Sequence, residues 1–275
     1  MFRGFYTVAS GMLAQQRRTE MLTNNMANAN TPGFKEDQSS LRAFPEMLLQ
    51  RMDDQGVNIP TQKGLNLPFN KRIGSLSTGV YMQEAIPAFK QGDLKETGLG
   101  TDMALLDVFM PENGSVFFSV AGPNGETQYT RNGNFTVDGQ GFLTTASGLQ
   151  VLNDAGNPIQ LTSDQFTVNE NGVLSGEGGV TARLGIGFSA DANRLIKLGD
   201  GLYQTEDGNA LANAYNEPNA QFKLQQGFIE RSNVDVSRTM TDMMTAYRAF
   251  EANQKVLQAY DKSMEKAANE VGRIG

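Results

Sequence analysis

The sequence predicts an α+β chain: an antiparallel β-rich central domain, sandwich-like or barrel-like, flanked by N- and C-terminal heptad-patterned helices that pack together. Three observations carry this. Apolar residues recur at alternating steps of three and four at both ends, and the middle alternates with period two between Asn-Gly and Asp-Gly turns. No helical pattern of crossover length interrupts that middle, which argues against a parallel sheet. The 275 residues divide into an N-terminal helix (1–35), a linker segment with a short helix and strands (36–100), a β-rich domain (101–231) and a C-terminal helix (232–275).

In the first segment Phe5, Val8, Met12, Gln15, Thr19, Leu22 and Met26 follow the heptad spacing, with Gln15 and Thr19 as polar breaks. A helix over residues 5–29 is about 37 Å long. Periodicity alone leaves open whether this stripe rests on its own domain or meets other chains. Asn24, Asn25, Asn28 and Asn30 then crowd positions where a helix prefers Ala, Leu or Glu, because short amides compete for backbone hydrogen bonds. Thr31-Pro32-Gly33-Phe34 supplies the stop: Pro at the second and Gly at the third position suit a type II turn, and Pro32 disfavours helical backbone at Thr31.

Residues 41–52 predict a short amphipathic helix with Pro45 in its first turn, and 53–79, rich in Gly, Asn, Gln and Pro, predict a long connecting loop. Short strands are expected within 79–89 and 93–95. From Thr101 to about Phe228, runs such as Val116-Phe117-Phe118-Ser119-Val120 and Asn134-Phe135-Thr136-Val137 lie between turn signals at Asn124-Gly125, Asn132-Gly133, Asp138-Gly139, Asn171-Gly172 and Asp207-Gly208. Strand, two-residue turn, strand is the hairpin pattern. In the last segment the heptad stripe reads Val236, Met240, Met243, Tyr247, Phe250, Gln254, Leu257, Asp261, Met264, Ala268 and Val271, with Ser232, Asn233 or Asp235 available as the N-cap and Gly272 as the stop. Both stripes are rich in Met and broken by polar residues, which suits packing among several neighbours better than one dry interface.

The chemistry open to the chain is narrow. Without cysteine or histidine there is no thiol nucleophile, disulfide, imidazole base or nitrogen-and-sulfur zinc site. No cofactor or metal is expected. The net charge of -7 is the resultant of +3 over residues 1–35, zero over 232–275 and -10 between them. That distribution argues against nucleic acid and against an anionic membrane surface as partners. No stretch resembles a membrane span, and the N-terminus lacks the apolar core and cleavage site of a secretory signal. Glu126, Asp138, Glu170, Glu177, Glu206 and Asp207 would be the candidates for a two-carboxylate cell-wall glycosidase, yet they lie beside turn residues and no pair stands out. Asn153-Asp154-Ala155-Gly156-Asn157 suggests calcium but lacks the ligand spacing of an EF-hand loop. A cytoplasmic coiled-coil adaptor would call for Leu-dominated seams.

Asn24-Asn25-Met26-Ala27-Asn28-Ala29-Asn30-Thr31-Pro32-Gly33-Phe34-Lys35 resembles the N-terminal signature of the flagellar rod and hook axial proteins. Tyr129-Thr130-Arg131-Asn132-Gly133-Asn134-Phe135, followed by Asp138, Gly141 and Leu143, is similar to their β-domain motif. Gln226-Gly227-Phe228-Ile229-Glu230-Arg231-Ser232-Asn233-Val234-Asp235 resembles the junction before their C-terminal helix, and Tyr247-Arg248-Ala249-Phe250-Glu251-Ala252-Asn253 its interior. The likeness is nearest to the rod proteins, particularly the distal-rod type and its paralogues in Gram-positive bacteria; a hook-type axial subunit is the alternative. The chain departs from the pattern at 110–115 and has no matching motif over 53–79.

The resemblance implies a structural subunit that polymerises helically through its terminal helices, with neighbouring rod and hook proteins as further partners. It also implies delivery by the flagellar type III export apparatus to an extracytoplasmic place in the basal body. The implied packing residues are Phe5, Val8, Met12, Leu22, Asn25, Met26, Asn28, Asn30, Met240, Met243, Tyr247, Phe250, Leu257 and Met264, with Thr31, Pro32, Gly33 and Phe34 turning the chain out of the helix. On this expectation the asparagine amides bond across subunit boundaries.

Overall fold

The computed structural model describes residues 2–45, 47–52, 57–58, 66–67, 70–123, 125–176, 179 and 181–271. Two long helices, α1 (Phe2–Ala27) and α2 (Val236–Val271), enclose the β-rich part of the chain in sequence. At 1.5 Å per residue their 26 and 36 residues are about 39 and 54 Å long. Asp235 caps α2: its carboxylate accepts the Arg238 N–H at 3.1 Å and its carbonyl accepts the Thr239 N–H at 2.9 Å. The expected stop at Gly272 lies outside the described residues. Contacts divide the chain into two compact units, residues 1–22, 39–85 and 240–275 in one, and 23–38 with 86–239 in the other.

In the first unit the helices run antiparallel. A methyl group added at Gly4 would overlap the Tyr260 hydroxyl, and one at Gly11 would come within 3.3 Å of Asn253 Nδ2. Seven residues forward on α1 therefore match seven backward on α2, and glycine at both places lets the backbones approach. The α2 side facing inward is Met243, Ala246, Phe250, Asn253, Leu257, Tyr260 and Met264, all buried or half-buried. This departs from the stripe read in the sequence, which shares Met243, Phe250, Leu257 and Met264 but places Met240, Tyr247, Gln254 and Asp261 in the seam. Met240 and Tyr247 are 53% and 60% exposed. The physical reason is size: wholly buried Ala246 occupies the close approach, and the larger apolar side chain beside it is displaced outward.

Residues 41–43 and 47–52, expected to lie in a helix, are strands, and within the expected loop over 53–79 residues 57–58, 66–67 and 70–76 are strands as well. Leu41–Ala43 pairs with Val80–Met82, Met47–Met52 with Asn70–Leu76, and Val57–Asn58 with Asn66–Leu67, all antiparallel. The three pairs are nested in sequence. Non-local pairing has overruled the local helical period, helped at its root by the Phe44 and Tyr81 rings, whose centroids are 5.2 Å apart. The polar flank of α1 holds that root: Ser10 Oγ accepts the Val80 N–H at 3.2 Å, and the Thr7 hydroxyl donates to the Thr78 carbonyl at 3.3 Å.

The second unit is built on a six-stranded antiparallel sheet ordered Leu195–Gly199, Leu202–Thr205, Thr127–Thr130, Ser115–Ala121, Ile186–Ser189 and Ala212–Asn213. The strand Ser115–Ala121 shows why its sequence is almost continuously apolar. Val116, Phe118 and Val120 enter the main core, while Phe117 joins Tyr129, Leu195 and Tyr203 in a second cluster. Other strands of this unit, paired as Met103–Phe109 with Gln221–Gln226, Phe135–Val137 with Leu143–Thr145, and Phe166–Val168 with Val173–Gly176, contribute Leu105, Leu224, Phe135, Leu143, Phe166 and Leu174 to the main core.

Several turns share one local device. Asp138, Asn153 and Asn169 each accept, through a side-chain oxygen, the N–H groups two and four residues on. Three residues on, Gly141, Gly156 and Gly172 take φ of 87°, 82° and 75°. The expected two-residue hairpin at Asn132-Gly133 is absent, because the strands on either side pair with other partners. Gly133 is needed for a different reason: its carbonyl accepts the Met103 N–H at 2.9 Å, and a Cβ there would overlap the Met103 carbonyl.

Candidate functional site

All three sequence signatures meet in one place in the second unit. The first ends in the predicted turn, where the Phe34 N–H donates to the Thr31 carbonyl at 3.3 Å and Gly33 has φ of 69°. Gly33 lies flat against Arg131 and Asn132, whose backbone atoms would be 2.5 Å from an added Cβ. Its N–H donates to the Glu230 carbonyl at 2.8 Å. One glycine thus touches both of the other signatures.

Asn25 and Asn28, two of the four asparagines before the turn, are occupied within the chain. Asn25 is wholly buried; its Nδ2 donates to the Asp37 carbonyl at 2.8 Å and its Oδ1 accepts the Asp37 N–H at 3.0 Å. A side-chain amide here replaces a strand partner and fixes the chain leaving the helix. Asn28 Nδ2 donates to the Asn24 carbonyl at 2.9 Å, satisfying one acceptor at the helix end, and its Oδ1 accepts the Thr31 hydroxyl at 3.1 Å. The outer side of Asn24 and Asn28 lines a polar groove of about 600 Å³ with Thr31, Phe34, Asn132 and Lys197. Exposed Asn30 borders a second hollow of about 560 Å³ with Pro32, Lys95 and Arg231.

Beneath the turn lies a buried ionic cluster. Lys35 Nζ donates to Glu230 Oε1 at 2.6 Å and to the Lys90 carbonyl at 2.8 Å. Arg131 donates from Nε to Glu230 Oε2 at 2.8 Å, and from its two terminal nitrogens to the Asp107 oxygens at 2.9 and 3.2 Å. The Gly92 N–H adds a bond to Glu230 Oε1 at 2.9 Å. Lys35, Arg131 and Glu230 are essentially inaccessible to water, and Asp107 is half-buried. Two cations and two anions make the cluster neutral.

Burial, with the neighbouring Arg131 charge, lowers the Lys35 pKa to about 8 despite the attraction of Glu230. Burial works against the charge on Glu230 too, but Arg131 and Lys35 outweigh it and hold the carboxyl below its usual range. Arg131 is likewise buried at a cost that Glu230 and Asp107 more than offset, so its guanidinium stays charged. Around this core Asn233 Oδ1 accepts the Glu36 N–H at 2.7 Å, and its Nδ2 donates to the Ala88 carbonyl at 2.8 Å. Lys197 grips Asp37 at 2.8 and 3.0 Å and sits 4.4 Å from the Phe34 ring centroid.

The charged groups of the cluster are matched to one another, and the arrangement ties the segment after α1 to the segment before α2. Three of the carboxylates considered for hydrolysis are engaged elsewhere. Glu126 accepts from Gln204 at 2.7 Å, Asp138 caps its turn, Glu170 pairs with Lys223 at 2.8 Å, and Glu206 and Asp207 are in an exposed turn or beside it; Glu177 lies outside the described residues. Asn153, the head of the suspected calcium loop, spends its side-chain oxygen on backbone N–H groups.

Of the packing residues read from the sequence, Leu22 and Asn25 are buried, and Phe5, Val8, Met12, Met26, Asn28, Met243, Phe250, Leu257 and Met264 are half-buried; Asn30, Met240 and Tyr247 are exposed. Lys35, Arg131, Glu230 and Asp107 escaped the sequence reading. The one signal for Lys35, Arg131 and Glu230 was a charged residue set among apolar or turn residues within each signature, and Asp107 lies in none of the signatures. The first unit also leaves large apolar side chains outside: Tyr6 (66% exposed) and Leu13 (56%) on α1, Met240, Met244 and Tyr247 on α2. Between the helices at that surface is a mostly apolar hollow of about 230 Å³ lined by Thr19, Met243, Met244, Tyr247 and Arg248.

Three family models match in order: "Flagella basal body rod protein" over residues 5–35, "Flagellar hook protein FlgE/F/G D1 domain" over 113–176, and "Flagellar basal body rod FlgEFG protein C-terminal" over 225–270. Similar proteins include the flagellar hook-basal body complex protein FlhO of Bacillus subtilis, 44% identical with all of both chains covered. The flagellar basal-body rod protein FlgG of Borreliella burgdorferi is 29% identical over 98% of each chain, and that of Agrobacterium fabrum 31% identical over 94% of this chain and 96% of its own.

Proposed function

Since the chain belongs to the family of flagellar basal-body rod proteins, we propose that it is a structural subunit of the rod and that its terminal helices assemble it into a helical polymer. The observation that carries this reading is the outward face of the helix pair. Tyr6, Leu13, Met240, Met244 and Tyr247 stand in solvent on a hairpin whose inner seam is already filled, at heptad spacing within each helix. Such a row of large apolar side chains is the expected mark of an interaction surface. The β-rich unit, with its own two cores, is the body that the helices carry into the assembly.

The hook-type alternative has no observation in its favour beyond the shared β-domain model. Catalysis is not part of the proposal, and neighbouring rod and hook proteins are the further partners. Passage through the flagellar export apparatus and an extracytoplasmic position follow from the resemblance as part of the same reading. The experiment is deletion of the coding sequence in its bacterium, with complementation by the full chain and by chains lacking 1–22 or 240–275. The full chain should restore swimming and be recovered in purified basal bodies, and the truncated chains should do neither. Recovery of either truncated chain in rods would defeat the helix-mediated model. Release of fragments from peptidoglycan by the pure protein would defeat the non-enzymatic one.

A further inference from the structure

Three strand edges of the β-rich unit end on a side-chain amide where a neighbouring strand could lie. Gln91 Nε2 donates to the Leu105 carbonyl at 3.0 Å, and its Oε1 accepts the Asp107 N–H at 3.2 Å. Gln226 repeats the pattern, donating to the Phe166 carbonyl at 2.8 Å and accepting the Val168 N–H at 2.8 Å. The carbonyl of one residue and the N–H two residues on are the groups that a single residue of an added parallel strand would take. Asn25 makes the antiparallel counterpart by bonding both backbone groups of Asp37. A primary amide carries a donor and an acceptor on one carbon, so it can stand in for one residue of main chain.

The edges covered by the two glutamines are ones that invite pairing. The run Met103-Ala104-Leu105-Leu106-Asp107-Val108-Phe109 has neither Pro nor Gly, and its one charge is taken by Arg131. That is the composition of a segment that pairs readily with copies of itself. Its strand partner on one side is Gln221–Gln226, and its far end leaves Val108 and Phe109 56% and 59% exposed. Phe166–Val168 likewise pairs on one side, with Val173–Gly176. The six-stranded sheet manages its edges by other means. Leu195–Gly199 has a bulge between Lys197 and Gly199 and turns Lys197 inward to Asp37, and Ala212–Asn213 is only two residues long.

We propose that Gln91 and Gln226 are edge guards, which deny the strands Met103–Phe109 and Phe166–Val168 to a second copy of this chain. Residues of the signatures fix both in place. The Lys90 carbonyl accepts the Lys35 ammonium and the Gly92 N–H donates to Glu230, so the ionic cluster holds the backbone on either side of Gln91. Gln226 opens the third signature, and the N–H of Gly227 beside it donates to the Asp102 carbonyl at 2.8 Å. The guards act on the β-rich unit alone and keep their role whether or not the helices polymerise.

Gln91→Leu and Gln226→Leu remove both bonds and leave a side chain of similar bulk. Gln91→Asn and Gln226→Asn keep the amide but are one methylene too short to span both groups, and where a Leu variant does not fold its Asn counterpart decides. Exposed Gln221, changed to Leu, controls for added apolar surface, and Leu143→Ala, a core cavity, controls for lost stability. Each pure full-length chain is followed over a concentration series by thioflavin T fluorescence and by amide exchange resolved to single residues. In the guard variants the Asp107 or Val168 N–H should lose protection in dilute solution and regain it on association, with a several-fold gain in thioflavin T signal that grows with concentration. Wild type and both controls should show neither. A guard variant whose amide has lost protection yet gives no signal at any concentration would overturn the proposal. An equal signal from Gln221→Leu or Leu143→Ala would overturn it too, since apolar surface or instability would then suffice. So would unchanged protection of Asp107 and Val168 in every guard variant, because the glutamine amides would then hold nothing.

Discussion

Replacing Glu230 by Gln tests whether the buried cluster is one coupled unit. The wild-type cluster balances Lys35 and Arg131 against Glu230 and Asp107. Glu230→Gln leaves two buried cations facing one carboxylate. Removal of one partner from a buried ionic set typically costs about 3–5 kcal/mol, because the stranded charge keeps its desolvation penalty. Lys35 gives an internal scale: its pKa of about 8 against 10.5 corresponds to about 3 kcal/mol spent keeping it charged at neutral pH. Lys35→Met alone removes that net burden but leaves Glu230 Oε1 and the Lys90 carbonyl short of a donor, and should change stability by about 1 kcal/mol or less. The double variant, left with the Arg131–Asp107 pair, should recover about 2 kcal/mol of the Glu230→Gln loss. Without Glu230 the Lys35 pKa falls further, so the Glu230→Gln penalty should shrink by about 1 kcal/mol between pH 7 and 8. Urea titration followed by near-ultraviolet circular dichroism reads the β-rich unit, since the chain has no Trp and Tyr129 and Tyr203 are buried there. A Glu230→Gln loss below 1 kcal/mol, or strict additivity with Lys35→Met, would refute the coupled cluster.

Acidification should act through the same carboxylate. Glu230 is held below its ordinary value of 4.5, so its contribution is complete above that pH and is lost as pH falls through the folded value, which an acid titration of the unfolding midpoint would show. Gly33→Ala should cost the β-rich unit at least about 2 kcal/mol in urea, since the new methyl meets the Arg131–Asn132 backbone at a left-handed position. Asn25→Leu, which strands both Asp37 backbone groups, should cost about 2–4 kcal/mol, whereas Asn30→Ala should leave stability within about 0.5 kcal/mol by the same measurement. Tyr247→Asp should abolish swimming while leaving the unfolding midpoint of the pure chain almost unchanged, because the side chain is outside the seam.

What could be read in the sequence was what depends on neighbours along the chain. The turn at Thr31–Phe34 has a physical signature four residues long and was found where expected. The antiparallel middle announced itself through short strands and glycine turns. The strand pairs between 41 and 82 did not, because their strands are defined by partners up to 41 residues away, and Leu41 to Met52 taken alone suits a helix as well. Lys35, Arg131 and Glu230 were visible as letters but not as a group: no local pattern says that charges separated by about a hundred residues will share one dry site.

The asparagine run and the heptad phase make the same point from opposite directions. Asparagine looked misplaced in a helix and so suggested amides reaching to other chains, yet Asn25 and Asn28 are matched to Asp37, Asn24 and Thr31 within the chain. Met240 and Tyr247 looked like ordinary seam residues and are the side chains left facing outward. Apolarity scored by residue type favours Tyr247 over Ala246, although close helix packing selects the smaller of the two. The polar residues therefore fix the subunit's own shape, and the apolar residues that the inner seam rejects are those free to meet another copy.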